Sequence, residues 1–345
     1  MRIIAAAMPQ DAPITPVFYR VPEPRGIERL AVARIPWLGD ADMQPLRWRS
    51  RYSWRANRAI RAAAAEAVFV NSQSCAFLLP GSDAPPSVVS VDGTHHQLAP
   101  MEYWRERNLA SPVMERLNER LERRAYEAAH TVLAWTEWAA GSLRNDYGID
   151  PDRIVTMHVG VHAEKYAGIR RTDLVQATPL RLLFIGNQVD RKGLGVVAQA
   201  LERLSFPAHL DVVTNDDVQG SSAMTIHRGL ASGSPRFLEL LSASDAFVFP
   251  TRADTVSWVV LEAMAAGLPV VTTRTGAIPE LLGETGILVD RDPDSVAAAI
   301  DKLHADPEMG LRLGKLARER VKERYDASVQ VPKLADLLSR AASGS

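Results

Sequence analysis

From residue 180 onward, short apolar runs alternate with stretches of helical spacing. Leu180–Ile185, His209–Thr214, Met224–His227, the run ending at Phe249, Leu268–Val271 and Gly286–Val289 read as strands. Val196–Leu204, Pro235–Ser242, Trp258–Ala266, Ser295–His304, Gly310–Tyr325 and Val331–Ala341 read as helices between and after them. Strands alternating with helices predict βαβ units and a parallel sheet. The first half repeats the pattern less regularly. Arg2–Met8, Ala67–Asn71, Ser87–Val91, Thr131–Ala134 and Ile154–His158 are strand-like, and prolines hold Val21–Trp37 in short extended pieces. Leu46–Ala65, Glu115–Ala129 and Thr136–Tyr147 are helical, with Gly148 as the stop of the last. Glu115–Ala129 is so rich in opposite charges at i,i+4 spacing that a solvated face is expected. Periodicity lapses between Glu164 and Pro179. The expected organisation is therefore a first domain over 1–163, a linker over 164–178, a second domain over 179–325 and a C-terminal helix over 326–345 with room to pack back on the first domain.

Phe247–Thr273 carries the strongest signal. It reads as strand, polar turn, buried helix, glycine stop at Gly267 and second strand. Glu262 does not belong to that pattern, being a carboxylate among Val259, Val260, Leu261, Ala263 and Met264. Burying a carboxylate is costly unless something hydrogen-bonds it. A core ion pair with Arg274 is one explanation, and a polar ligand is the other. Asp254 lies eight positions earlier, at a turn that leads into the helix N-terminus at Thr255–Ser257, where backbone N–H groups can meet an anion. The segment reads as a nucleotide site with phosphate at Thr255–Ser257 and a polyol at Glu262; helix capping is the alternative role for Asp254.

Composition narrows the class. Of 345 residues, 46% are hydrophobic, and 40 basic against 41 acidic residues leave a formal charge of −1, so nothing pulls the whole chain toward nucleic acid. A lone Cys75 excludes an internal disulfide framework and suits a reducing compartment. The N-terminal apolar run is too short for a secretory signal, and none approaches about 20 residues, which makes a cytoplasmic α/β protein the expectation.

Four further stretches bear on the chemistry. Leu46–Ala65 contains Arg47, Arg49, Arg51, Arg55, Arg58 and Arg61, interleaved with Trp48, Tyr52 and Trp54 and without an acidic residue. It is either a solvated helix or a basic surface for peripheral contact with anionic lipid or with a phosphorylated acceptor. Asp92-Gly93-Thr94-His95-His96 directly follows a strand, where open α/β sheets keep their chemistry, and offers His95 or His96 beside Asp92 as candidates, with loop decoration as the alternative. Gly186-Asn187-Gln188-Val189-Asp190-Arg191-Lys192-Gly193 also follows a strand and could bring Lys192 to a phosphate, although it is not a Walker loop. Asp292-Pro293-Asp294 has an Asp-x-Asp spacing, but Asp294 is expected to be the N-cap of the helix that follows rather than a metal ligand.

Gly186–Gly193 and Phe247–Val271 together resemble the retaining glycosyltransferases of family four. The likeness rests on Asp254 and Glu262 at the family's Glu-x7-Glu spacing and on LEAMAAGLPVV; it extends to IHRGL at Ile226–Leu230 and Thr275–Leu282. It covers about Pro179–Tyr325 and, more weakly, Trp135–Val161. The resemblance implies the B-type fold, two Rossmann-like α/β domains facing each other across a cleft, here with an abbreviated first domain. It also implies transfer of a hexose from a nucleotide-diphosphate sugar to a hydroxyl acceptor (glycan, lipid or small molecule) with retention, without metal or resident cofactor. Lys192 would bind the diphosphate beside Gly186, Asn187 and Arg191. Thr255, Val256 and Ser257 would offer amides to the distal phosphate. Asp254 would contact the sugar, Glu262 the ribose, and Arg228 and Gly229 the base. Asp92 or His95 would be the strand-end catalytic group. The chain departs from the family pattern at Asn187, where Arg is usual, at Asp254 in place of Glu, at Ser257 in place of Gly, and in lacking a glycine-rich loop in the first domain. A degenerate sugar-binding or partner subunit without turnover, and a nucleotide-sugar epimerase of the same fold, are the alternatives.

Overall fold

A computed structural model describes residues 43–62, 65–71, 76–77, 85–101, 111–169 and 179–344. The expected strand at Arg2–Met8, the extended pieces of Val21–Trp37, Cys75 and most of the charged run after Ile169 lie outside the described residues. The chain divides into two compact units, one formed by 1–158 with 331–345 and the other by 159–330.

In the first unit β1 (Val68–Val70), β2 (Ser87–Val91), β3 (Thr131–Ala134) and β4 (Ile154–Thr156) form a parallel sheet in that order. Side chains alternate across it, as the two-residue period of a strand requires. Val89, Val91, Val132 and Ala134 join Ile60 of α1 (Met43–Ala62), and Tyr126, Leu143 and Tyr147, on one face. Val88 and Leu133 point the other way, onto Leu334, Leu337 and Ala341 near the chain's end. A four-residue helix α2 (His95–Leu98) follows β2, and α3 (Ser111–Ala128) and α4 (Glu137–Asn145) flank β3. The expected solvated face of α3 is only part of that helix. Met114, Asn118, Glu122, Ala125 and Tyr126 are buried along its other side, an i,i+4 stripe that the charge pairs mask in the sequence.

The second unit holds β5 (Leu180–Ile185), α5 (Val189–Lys192), α6 (Leu194–Leu201), β6 (Ala208–Val213), β7 (Met224–His227), α7 (Pro235–Ala243), β8 (Ala246–Phe249), α8 (Trp258–Ala265), β9 (Val270–Thr273), α9 (Ile278–Leu282), β10 (Ile287–Val289), α10 (Pro293–Ala305), α11 (Pro307–Arg324) and the start of α12 (Ala327–Ser343). Its six strands are all parallel, in the order β10-β9-β8-β5-β6-β7. The unit begins at Val159. The turn Ala163–Tyr166, in the stretch where sequence periodicity lapses, packs against α8 and buries Tyr166 and Ile169.

Two local expectations change. The N-cap of α10 is Asp292, which accepts from the Ser295 amide at 2.9 Å, because Pro293 has the fixed φ and missing N–H that suit the first helical position. Asp294 lies inside the first turn and pairs at the surface with Arg203 at 2.5 Å. Arg274 is exposed and takes no part in holding Glu262, whose partners are described below.

A buried carboxylate pins β5, β6 and β7 together. Asp211 on β6 accepts from Arg181 at 2.7 Å and faces the His227 ring at 2.7 Å. Burial pushes its pKa up, but the hydrogen bonds from His227 and Arg181 outweigh burial and hold it below the ordinary carboxylate value. Such a group stabilises the fold above its unfolded pKa and loses that contribution as pH falls through the folded pKa. Because Arg181 is 37% exposed and screened, most of the effect resides in the contact with His227. Asp211→Asn is therefore expected to cost about 1–3 kcal/mol near neutral pH, with the gap to wild type closing in urea melts taken below about pH 3.8, the unperturbed carboxylate value.

Candidate functional site

The strand order of the second unit places a crevice before any side chain is considered. From β5 the chain winds through β6 to β7, then crosses back to β8 and winds the other way through β9 to β10. The loops leaving β5 and β8 therefore diverge, and ligands of open α/β sheets bind at the carboxyl ends of strands at such a switch point. The first loop is Gly186–Gly193 and the second Pro250–Ser257. They are laced tightly. Gly193 has φ +89°, and a Cβ there would come within 2.2 Å of the Pro250 carbonyl oxygen, so only glycine lets the loops touch. The Arg191 carbonyl accepts from the Arg252 amide at 2.8 Å, and the Arg191 guanidinium donates to the Ala253 carbonyl.

That lacing brings together the two residues singled out from separate motifs. Lys192 Nζ stands 2.6 Å from Asp254 Oδ2, with side chains 12% and 8% exposed. The ammonium also lies 5.0 Å from the centre of the Phe249 ring. Burial lowers the Lys192 pKa below its ordinary value, against the opposing pull of Asp254. The other oxygen of Asp254 accepts from the Thr255 amide at 3.1 Å. Asp254 is thus an ion-pair partner rather than a helix cap. Ser257 is the N-cap of α8, yet it makes no side-chain capping bond, and its buried hydroxyl has no partner among the described residues. The loop after β9 closes in behind, where a Cβ on Gly276 would reach 2.0 Å from the Asp254 carbonyl oxygen.

Glu262 lies in the second turn of α8 and is 9% exposed. Ser232 Oγ, in the loop after β7, donates to Glu262 Oε1, and the Tyr166 hydroxyl is a second hydrogen-bond partner. Burial raises the Glu262 pKa above the ordinary carboxylate value; Ser232, Tyr166 and the nearby Lys165 charge oppose it incompletely.

The remaining candidates are spread out. Arg228 donates to the Val218 carbonyl at 2.6 Å, and the Gly229 amide to Asn215 Oδ1 at 2.9 Å. Asn187 is tied to the same loop, its Oδ1 accepting from the Asn215 amide at 2.8 Å. Asn187 thus braces, through Asn215, the loop that carries Gly229. Asp92 and His95 belong to the first unit, Asp92 exposed and His95 buried. There the Thr94 and Gln97 side chains form a capping box, and the His95 amide donates to Glu122 Oε2 at 2.8 Å. Glu122, fully buried, also accepts from the Tyr147 hydroxyl at 2.7 Å. Sequence reasoning missed Ser232, Tyr166, Asn215 and Glu122. The first three lie in loops without periodicity, and Glu122 is hidden among surface charge pairs.

Two parallel α/β units, the second with its polar residues gathered at a switch point, define a B-type glycosyltransferase fold, and the comparisons agree. The family model for glycosyl transferases group 1 matches residues 179–306, and that for glycosyltransferase family 4 matches residues 11–165. The chain belongs to the family-four glycosyltransferases. A sulfoquinovosyl transferase of Arabidopsis thaliana is 32% identical over 188 residues, a match covering 51% of this chain and 31% of that enzyme's own length. Among solved structures, a sucrose-phosphate synthase of Thermosynechococcus elongatus superposes with a TM-score of 0.70 at 18% identity, over 88% of this chain and 80% of that one. HepE of Anabaena, in complex with UDP and glucose, has a TM-score of 0.64 at 17% identity, over 83% and 81% of the two chains.

A folded-state pKa raised above the unfolded value means that folding favours the protonated acid, so Glu262 loses stabilising influence as pH rises above about 4.5, the unperturbed value. Glutamine does not ionise. Glu262→Gln is expected to gain thermal stability relative to wild type as pH is raised from 4 to 7, and melting curves that stay parallel across that range would contradict the shift.

Proposed function

We propose that this glycosyltransferase moves a hexose from a nucleotide-diphosphate sugar to a hydroxyl acceptor with retention of anomeric configuration. The observation that carries the reading is the buried Lys192–Asp254 pair at the switch point, directly before the N-terminus of α8. An ammonium freed from Asp254 beside a helix N-terminus would make a site of positive potential suited to a diphosphate. The fold it shares with HepE, solved with UDP and glucose, supports the same class of ligand.

In this reading Lys192 turns from Asp254 to the diphosphate as the donor enters. Amides of Thr255, Val256 and Ser257, with the unpartnered Ser257 hydroxyl, meet the distal phosphate. Asp254, released from its cation, accepts hydroxyls of the sugar. Glu262 accepts from the ribose, and Arg228 and Gly229 border the base. Arg191 and Asn187 act as braces of these loops, and Gly186 leaves room for the Lys192 stem. The positive groups stabilise charge on the departing diphosphate, whose oxygen takes the proton from the attacking hydroxyl, so neither a protein nucleophile nor a metal is required. The acceptor class is a glycan, lipid or small molecule.

On the first unit, α1 supports peripheral contact with anionic lipid, since Trp54 is 56% exposed and the Arg58 guanidinium lies 6.0 Å from the centre of its ring. Among the described residues no helix is long and apolar enough to cross a membrane.

A panel of nucleotide sugars assayed for release of nucleoside diphosphate tests the activity, and the anomeric configuration of the product tests retention. Lys192→Ala and Glu262→Ala should each lower kcat/KM at least about tenfold, or about 1.4 kcal/mol; wild-type rates in either would remove that residue from the site. For the lipid contact, pelleting should recover the protein with anionic vesicles and not with neutral ones, and equal recovery would defeat it.

A further inference from the structure

We infer that Tyr166 is a positioning residue for ribose recognition and that Ser232 occupies, in the ligand-free protein, the place on Glu262 that a ribose hydroxyl takes. The inference deepens the donor-site reading above and rests on it. Its ground is the unequal standing of two hydroxyls on one carboxylate. Tyr166 is 2% exposed, in the turn Ala163–Tyr166 packed against α8, so its hydroxyl cannot leave Glu262 without unpacking the ring. Ser232 is exposed, in the loop between β7 and α7, and needs only a side-chain rotation to withdraw.

The chemistry fits a diol. An ionised carboxylate accepts about four hydrogen bonds. With Tyr166 fixed on it, Glu262 retains capacity for both hydroxyls of a ribose, one of which replaces Ser232. Burial and the Glu262 charge raise the Tyr166 pKa against an opposing hydrogen bond from Ser232, so the phenol stays protonated and donates. Lys165, next in the chain, adds positive charge near Glu262, while Glu164 lies close enough to bear on Tyr166. A merely structural pair of hydroxyls would satisfy a buried acid equally well in the presence or absence of ligand. Positioning differs in that the loss of Tyr166 raises the Glu262 pKa further and moves the pH at which nucleotide binds.

Calorimetry with UDP, GDP and ADP on the full chain decides between these. For whichever nucleotide wild type binds, Tyr166→Phe should weaken binding about tenfold, the scale of one hydrogen bond to a charged acceptor, and shift the midpoint of its pH dependence upward. Ser232→Ala should bind more tightly than wild type, because no hydroxyl competes with the ribose. In the Glu262→Gln background the Tyr166→Phe penalty should shrink, since both act through one carboxylate. Tyr166→Phe with unchanged affinity and pH midpoint overturns this inference and leaves the donor site standing, as does equal weakening by both hydroxyl deletions. Wild type that binds none of the three nucleotides overturns the donor-site reading and this inference together.

Discussion

The ion pair between Lys192 and Asp254 sets the terms for the second unit. Taking both charges out of water costs several kcal/mol each, and their mutual attraction offsets this only if the geometry is good. That geometry depends on the chain around it. Lys192 ends a short helix after β5 and Asp254 lies in the loop after β8, strands that are neighbours only because the winding reverses between them. Gly193 lets the two loops touch, Arg191 stitches one to the other, and Gly276 admits a third loop behind Asp254. As a device for stability alone these three contacts, two of them dependent on glycine, are hard to account for, since an apolar pair of the same volume would serve as well. On the proposed reading, in which an anion replaces Asp254 as the partner of Lys192, each contact has a use.

Much of this was readable from the residues. Parallel strands buried on both faces are apolar runs, so β2, β3 and β5 are found at the bounds that patterning gives them, and a carboxylate in the otherwise apolar α8 stands out because its burial needs a reason. Lys192 and Asp254 were also legible, each from a strand-end motif. What the sequence withheld were the contacts that motifs do not encode. The partners of Glu262 come from Tyr166, in a stretch without periodicity, and from Ser232, in an irregular loop. Asn187, read as the missing arginine of a phosphate clamp, is engaged with Asn215 instead. Asp294 was mistaken for a cap because Asp292 and Pro293 make the stronger start one step earlier.

The two acids of the proposed donor crevice are treated in opposite ways. Asp254 faces a cation, and Glu262 is held by hydroxyls although Lys165 is near enough to exert a pull. An acid neutralised by a fixed cation loses much of its attraction for a sugar hydroxyl, and breaking a buried pair strands both charges. An acid held by hydroxyls meets a ribose as an exchange of like for like, oxygen donor for oxygen donor, with little change in electrostatic energy. The carboxylate assigned to the ribose needs that easy exchange, whereas the one assigned to the sugar can afford a cation, because the same ligand brings a diphosphate that takes the cation away. On the proposed reading Asp254 is unmasked only when the anionic end of the donor is in place, which would couple recognition of the sugar to recognition of the phosphates.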